Sequence, residues 1–451
     1  MTLSSLTFLF LFLPVALLLY LILPGRAKIY MLGIISLVFY AWGNPRDIVL
    51  LLFSVVFNYA SALEMDELLY RRHWTLGKLS MIFTVIVNVA VLCVYKYSSA
   101  ALPAGISFYT FSALSYIFDV YYDKAPAERN PVYVLVYIGL FSKVTSGPIV
   151  QYKDMHAQIR EHQVRLREDF GPGILLFLRG LFKKVLLADP LGLAFAQVTA
   201  VSEKTAGLAW LGVCFYAFQL YYDFSGYSDM AIGISRMLGF RFADNFDYPY
   251  TSGNLAEFWR RWHISLGAWF REYVYIPLGG NRCSVPRQMI NLGAVWLLTG
   301  IWHGSTMNFV LWGIYHGAII MIERFVLKKR LDRLPKILRA LGTDVVVFFG
   351  WVLFFSSGLG SAMRYYSQMF GSAGLGFWDA QATFILRQYF VLLFAGIAFA
   401  APFLHNRYEE IMYYKQKGGF LVSAFLYLGL FALCIAEMVS STYSTFLYAA
   451  F

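Results

Sequence analysis

The chain has 451 residues, 59% of them hydrophobic and only 14% charged, and 37 Lys plus Arg against 26 Asp plus Glu give a formal net charge of +11. Soluble domains are about a quarter charged. This composition therefore excludes a disordered chain, a collagen-like chain and a basic nucleic-acid module, and it argues against an aqueous enzyme.

A spanning helix needs about 20 mostly apolar residues. The first apolar run, 6–23, has no basic residue ahead of it and is too long for a signal-peptide core, so it reads as a retained membrane helix. Further runs follow at 31–42, 48–63, 79–94, 102–122, 132–144, 174–188, 208–222, 288–301, 307–325, 345–357, 390–404 and 420–439. The expectation is an all-α polytopic membrane protein with about 10–12 transmembrane helices. Short runs such as 132–144 read as broken or re-entrant helices, which lipid tolerates only inside protein or beside a cavity. The whole chain, 1–451, reads as one transmembrane domain.

Charge gathers in four connections: Arg71, Arg72 and Lys78; the stretch 151–169; the stretch 324–339; and, more weakly, 407–417. Lys and Arg in short loops mark the cytoplasmic side, so all four are expected there. The stretch 151–169 reads as an amphipathic cytoplasmic surface helix. The positive balance faces anionic headgroups rather than nucleic acid. The Gly- and Ser-rich stretch 358–376 reads as an exposed loop. Cys93, Cys214, Cys283 and Cys434 form no CxxC pair, which argues against disulfides and zinc-thiolate sites. Cys93, Cys214 and Cys434 lie in apolar runs and read as small buried hydrophobes.

The stretch 221–317 departs from this apolar background. It opens with Asp223, Ser225 and Asp229, then Arg236, Arg241, Asp244, Asn245 and Asp247. Carboxylates at membrane depth must be paired or hydrated, so Asp223 and Asp229 read either as a polar brace between helices or as a cavity lining. Next, Trp259, Trp262, His263 and Trp269 interleave with Arg260, Arg261 and Arg271. Trp259 and His263 are four apart and would share a helix face. That segment reads either as an interfacial helix or as a tunnel wall. His303 and His316 sit in apolar surroundings, each followed by glycine, whereas His73, His156, His162 and His405 lie beside basic loops and read as solvated. Imidazole is the side chain best suited to moving protons near neutral pH. The spacings between His263, His303 and His316 contain no HxxxH pair, and no metal is expected. No GxSxG elbow and no P-loop occur.

Four segments together carry a resemblance: LPAGISFYTFSALSYIFDVY (102–121), YYDFSGYSDMAIG (221–233), FWRRWHISLGAWFREYVYIPLGGNR (258–282) and IWHGSTMNFVLWGIYHG (301–317). The sequence resembles the membrane-bound O-acyltransferase family, in particular its bacterial branch acting on alginate, peptidoglycan and cellulose. The resemblance implies helices ringing a central funnel or tunnel, with a catalytic core over 102–325. It implies His303 as the catalytic histidine and His263 as the second important polar position, with His316 less central. Trp259, Arg260, Arg261, Trp262, Arg271 and Asn308 become candidates for the tunnel or donor site. The implied reaction moves an acetyl group from a cytoplasmic thioester, acetyl-CoA, toward hydroxyls of an envelope polysaccharide, with His303 as general base. No tightly bound cofactor is implied, but a separate extracytoplasmic O-acetyltransferase partner is. D-alanyl transfer for teichoic acid, a polysaccharide transporter and a structural scaffold are the competing readings.

Overall fold

The computed structural model describes residues 1–98, 101–163, 165–372, 374–414 and 416–441. Among them the architecture is all-α. A wide π turn, Phe8–Phe12, leads into α1 (Leu13–Ile22), then α2 (Ala27–Gly43), α3 (Asp47–Tyr70), α4 (Trp74–Tyr97), α5 (Ile106–Tyr121), α6 (Pro131–Gly139) and α7 (Tyr152–Arg160). The middle of the chain forms α8 (Gly171–Phe182), α9 (Asp189–Ala200), α10 (Ala206–Met237), α11 (Leu255–Arg261), α12 (Ile264–Phe270), α13 (Val285–His303) and α14 (Met307–Ile322). Then come α15 (Lys328–Leu331), α16 (Lys336–Phe355), α17 (Leu359–Met369), α18 (Ala380–Phe399), α19 (Pro402–Tyr414) and α20 (Gln416–Ser440).

Among the described residues six helices are long and apolar enough to cross a bilayer: Asp47–Tyr70, Trp74–Tyr97, Met307–Leu331, Lys336–Phe355, Ala380–Phe399 and Val422–Ser440. Phe8–Ile22 and Ala27–Gly43 are shorter apolar helices. The other apolar runs, such as 132–144 and 174–188, form shorter helices or π turns, and the polytopic all-α architecture agrees with the expectation.

At 32 residues α10 is about 48 Å long. Almost every residue of it is buried, so protein rather than lipid surrounds its polar groups. Its closest seam is with α8, where glycines face one another. A Cβ on Gly180 would stand 2.4 Å from the Gly226 carbonyl oxygen, and one on Gly233 would stand 2.6 Å from that of Gly173. Small residues let two backbones approach where lipid supplies no hydrophobic drive between helices. The same seam carries the ion pairs. The π turn Lys183–Ala188 links α8 to α9. Lys184 reaches Asp189 at 2.6 Å and Asp223 at 2.8 Å, while Asp229 holds Lys183 at 2.8 Å and Arg179 at 3.2 Å.

The ends of the helices segregate by charge. Because α3, α4 and α5 run down, up and down in succession, the 71–73 turn and the segment after α5 share one end. There Arg160 pairs with Glu128, and Arg241 with Glu168 and Asp169. The Tyr97 hydroxyl, where α4 finishes at the opposite end, donates to the Ile301 carbonyl near the close of α13. The α13–α14 turn therefore lies toward that opposite end, and the basic stretch 324–339 returns to the first. The excess of basic residues marks the first end as cytoplasmic. The run 407–417 lies partly outside the described residues.

Several local expectations need correction. The stretch 358–376 is not all loop: α17 occupies its first half and turns Ala362, Tyr365 and Met369 inward at helical spacing. The stretch 151–169 does not make one helix. α7 buries Tyr152, Met155 and Ile159 but stops at Arg160, and the π turn Leu166–Phe170 follows. Of the cysteines only Cys434 is buried; Cys214 is half-buried and Cys93 is on the exposed face of α4. His156 and His162 are half-buried rather than solvated, and His162 contacts the Tyr20 hydroxyl of α1.

Candidate active site

A cavity of about 860 Å³ opens among α11, α12, α13 and α14 and the segment that follows α14. At its outer part it is lined by Arg260, Arg271, Arg324, Lys328 and Arg339, against two acids, Glu323 and Asp332. Farther in it is lined by Trp259, Trp262, Trp296 and Trp312, together with both His263 and His303. The basic part belongs to the cytoplasmic end. Beside Arg271, the Glu272 carboxyl accepts from Lys124 at 2.7 Å and Lys153 at 3.1 Å, and those hydrogen bonds hold it below the usual carboxylate range.

His263 owes its position to a break in a helical stretch. α11 starts where the Asn254 side chain accepts the Glu257 N–H, and it stops at Arg261. An isolated antiparallel bridge between Phe246 and Trp262 pins the chain there, with the Asp247 N–H on the Arg261 carbonyl and the Ile264 N–H on the Asn245 carbonyl, both at 2.9 Å. His263 then takes a left-handed conformation, φ 47°, which a side chain with a Cβ adopts only under constraint. This break overturns the expectation that Trp259 and His263 share a face of one helix, yet both line the cavity. The Asn245 side-chain oxygen accepts the Ser265 backbone N–H at 3.1 Å and lies 3.2 Å from His263 Nδ1. An oxygen accepting that N–H is the acceptor toward the ring as well. Nδ1 therefore carries the proton, and Nε2 presents its lone pair. Phe224 lies edge-on to the ring at 4.6 Å and Phe108 stacks at 6.5 Å.

His303 ends α13 and is buried, 4% exposed. Its ring sits among Trp302, Trp312 and Phe354, with centroids at 4.6, 4.9 and 5.2 Å. The following Gly304 admits Phe309: a Cβ there would stand 2.2 Å from the Phe309 ring. Trp302, packed on Phe111 at 5.3 Å and Phe108 at 6.3 Å, backs the histidine on the side away from the cavity. Two imidazoles thus meet one aromatic-walled cavity with a basic entrance. Such a site can take a proton from a hydroxyl and hold a polyanionic molecule.

The model of the MBOAT, membrane-bound O-acyltransferase family, matches residues 47–368. The chain belongs to this family. The chain is 40% identical over 400 residues to the probable alginate O-acetylase AlgI of Azotobacter vinelandii, which covers 82% of this chain and 78% of the relative. It is 34% identical over 427 residues to the peptidoglycan O-acetyltransferase of Helicobacter pylori, covering 82% and 79%. The teichoic acid D-alanyltransferase of Bacillus subtilis matches at 29% over 55% of this chain and 68% of its own. Within the MBOAT family the chain therefore falls with the alginate and peptidoglycan O-acetylase branch. It is a membrane acyltransferase and a multi-pass inner-membrane protein.

Not every candidate residue of this MBOAT chain reaches the cavity. Trp259, Arg260, Trp262 and Arg271 line it. Arg261 does not: its guanidinium pairs with Glu257 at 2.8 Å and donates to Thr251. Asn308 is buried and donates to the Ser356 carbonyl at 2.9 Å. His316 lies behind the wall, fully buried among Trp259, Trp312 and Tyr315. Gly350 makes room for it, since a Cβ there would stand 2.4 Å from Nε2. Asp223 and Asp229 are taken up by the α8–α10 ion pairs, whereas Ser225 is buried with no hydrogen-bond partner among the described residues. Among those residues no group of three His, Cys, Asp or Glu side chains gathers as a metal site.

Sequence reasoning missed Asn245 as the partner of His263, and it missed Arg324, Lys328 and Arg339 at the cavity entrance. Asn245 stood out only as one polar residue in a polar run. The three basic residues were assigned to a solvated loop, because nothing local shows which face of that loop turns inward.

Proposed function

We propose that the protein transfers an acetyl group from a cytoplasmic thioester, acetyl-CoA, to hydroxyls destined for a cell-envelope polysaccharide. The single observation carrying this reading is the cavity that joins a basic cytoplasmic entrance to His263 and His303. Phosphates of the donor meet Arg260 and Arg271 with Arg324, Lys328 and Arg339, and the acyl thioester enters toward the histidines. His303 acts as general base on the acceptor hydroxyl, and a positioned base is worth about 10²–10⁴-fold. His263, its tautomer set by Asn245, orients the reacting groups. The aromatic wall limits hydrolysis of the donor by excluding bulk water. A separate extracytoplasmic transferase completes delivery to the polymer.

The test is reconstitution in vesicles with labelled acetyl-CoA and a panel of acceptors. The wild type is expected to release thiol and label the acceptor, and His303→Ala to fall at least about 10²-fold while staying folded. Full activity in His303→Ala sinks the base assignment. Thiol release from D-alanyl but not acetyl thioesters sinks the acetyl assignment.

A further inference from the structure

Three buried donors around His303 have no acceptor among the described residues: the Lys96 ammonium and the indole N–H groups of Trp302 and Trp312. They come from three helices, α4, α13 and α14. The Lys96 nitrogen sits 5.2 Å from the centre of the Trp302 ring. The Trp302 and Trp312 rings both pack on the His303 ring, with centroids at 4.6 and 4.9 Å. The hydroxyl of neighbouring Tyr97, donating to the Ile301 carbonyl, ties the end of α4 to the last turns of α13. Buried polar groups in folded proteins are nearly always paired. A positive charge in a spanning helix without a carboxylate partner is costly to keep. All three groups are donors, all flank one imidazole, and none is used by the base chemistry described above.

We propose that the Trp312 indole N–H, on the cavity wall, and the Lys96 charge behind Trp302 together stabilise the oxyanion of the acyl-transfer step. This inference rests on the acyl-transfer reading. The acceptor hydroxyl gives its proton to His303 while its oxygen bonds to the thioester carbonyl carbon. The carbonyl electron pair moves onto oxygen, and that negative charge meets the Trp312 N–H and the field of the Lys96 ammonium. When the pair returns, the carbon–sulfur bond breaks and the thiolate takes the proton from the imidazolium. Lys96 supplies its charge across the face of Trp302, so it is a positioning residue, whereas Trp312 lines the cavity itself.

The experiment compares Lys96→Met, Lys96→Arg and Trp312→Phe with His303→Ala in the reconstituted protein, reading kcat, donor KM and thermal midpoint. Removing an unpaired buried charge should leave the midpoint unchanged or raised. Lys96→Met should then lose about 10²-fold in kcat at nearly constant KM, as removal of an oxyanion donor does elsewhere. Lys96→Arg should recover most of that loss, and Trp312→Phe, which removes the donor on the cavity wall, should lose about 10²-fold. Lys96→Met with kcat near the wild type overturns the proposal. So does a Lys96→Met defect that comes with a lowered midpoint, which marks a packing role, or one seen only as a raised KM for acidic acceptors. An inactive His303→Ala beside an active Lys96→Met removes the oxyanion site alone; an active His303→Ala removes the base reading.

Discussion

Asn245 receives three contacts on one amide oxygen: the Ser265 N–H, the Ser265 hydroxyl at 2.9 Å and the His263 ring. Its amide nitrogen donates to Ser228 of α10 at 3.0 Å, so this one side chain links the central helix to the His263 junction. Asn245→Ala leaves buried donors unpaired, each worth about 1–3 kcal/mol, and frees the His263 ring to take either tautomer. The expected result is a lowered thermal midpoint together with a loss of about 10²-fold in kcat, of the size that small misplacements produce. Normal turnover in a folded Asn245→Ala protein would show that the tautomer of His263 does not matter. The sequence made His263 and His303 legible as unusual, because a polar ring in an apolar run needs a reason. It could not reveal Asn245, because the two residues meet only through the Phe246–Trp262 bridge, which no periodicity encodes.

At the scale of elements, the α8–α10 seam makes the sharpest case. A Cβ on Gly180 would press on backbone atoms, the Gly226 oxygen at 2.4 Å and the Met230 nitrogen at 2.6 Å, whereas one on Gly171 meets nothing within 4 Å. Gly180→Ala should therefore destabilise by about 1–3 kcal/mol, the usual cost of overpacking, while Gly171→Ala should be close to neutral. Thermal unfolding in detergent measures both. Equal midpoints for the two variants would mean that the helices separate more readily than their contact suggests. Most of the long helices were readable from apolar length alone. α17 was not, since the glycines and serines of 358–376 mimic a loop while Ala362, Tyr365 and Met369 carry a helical stripe. The stop at Trp262 was hidden for the opposite reason: the local sequence favours helix and tertiary pairing overrides it.

Over the whole molecule, basic residues collect at one end and the α13–α14 turn lies toward the other. A single cysteine placed at Arg333, in a chain whose own cysteines are replaced, should react with a membrane-impermeant maleimide in inverted vesicles but not in intact cells. One placed at Phe370, just after α17, should show the reverse. Labelling of both from the same side would invert or break the deduced topology. The charge asymmetry was plain in the sequence, but the turning of Arg324, Lys328 and Arg339 into the cavity depends on how α14 and α16 pack around α11.

The aromatic layer of Trp302, Phe108 and Phe111 has a bearing on the cell's energy supply. None of the three lines the cavity, so aromatic rings stand behind the cavity wall at His303. On the proposed reading an acyl group crosses a charged bilayer, which the protein must not short-circuit. Those rings act as electrical insulation, and purified protein in a planar bilayer should carry no measurable ion current while it turns over.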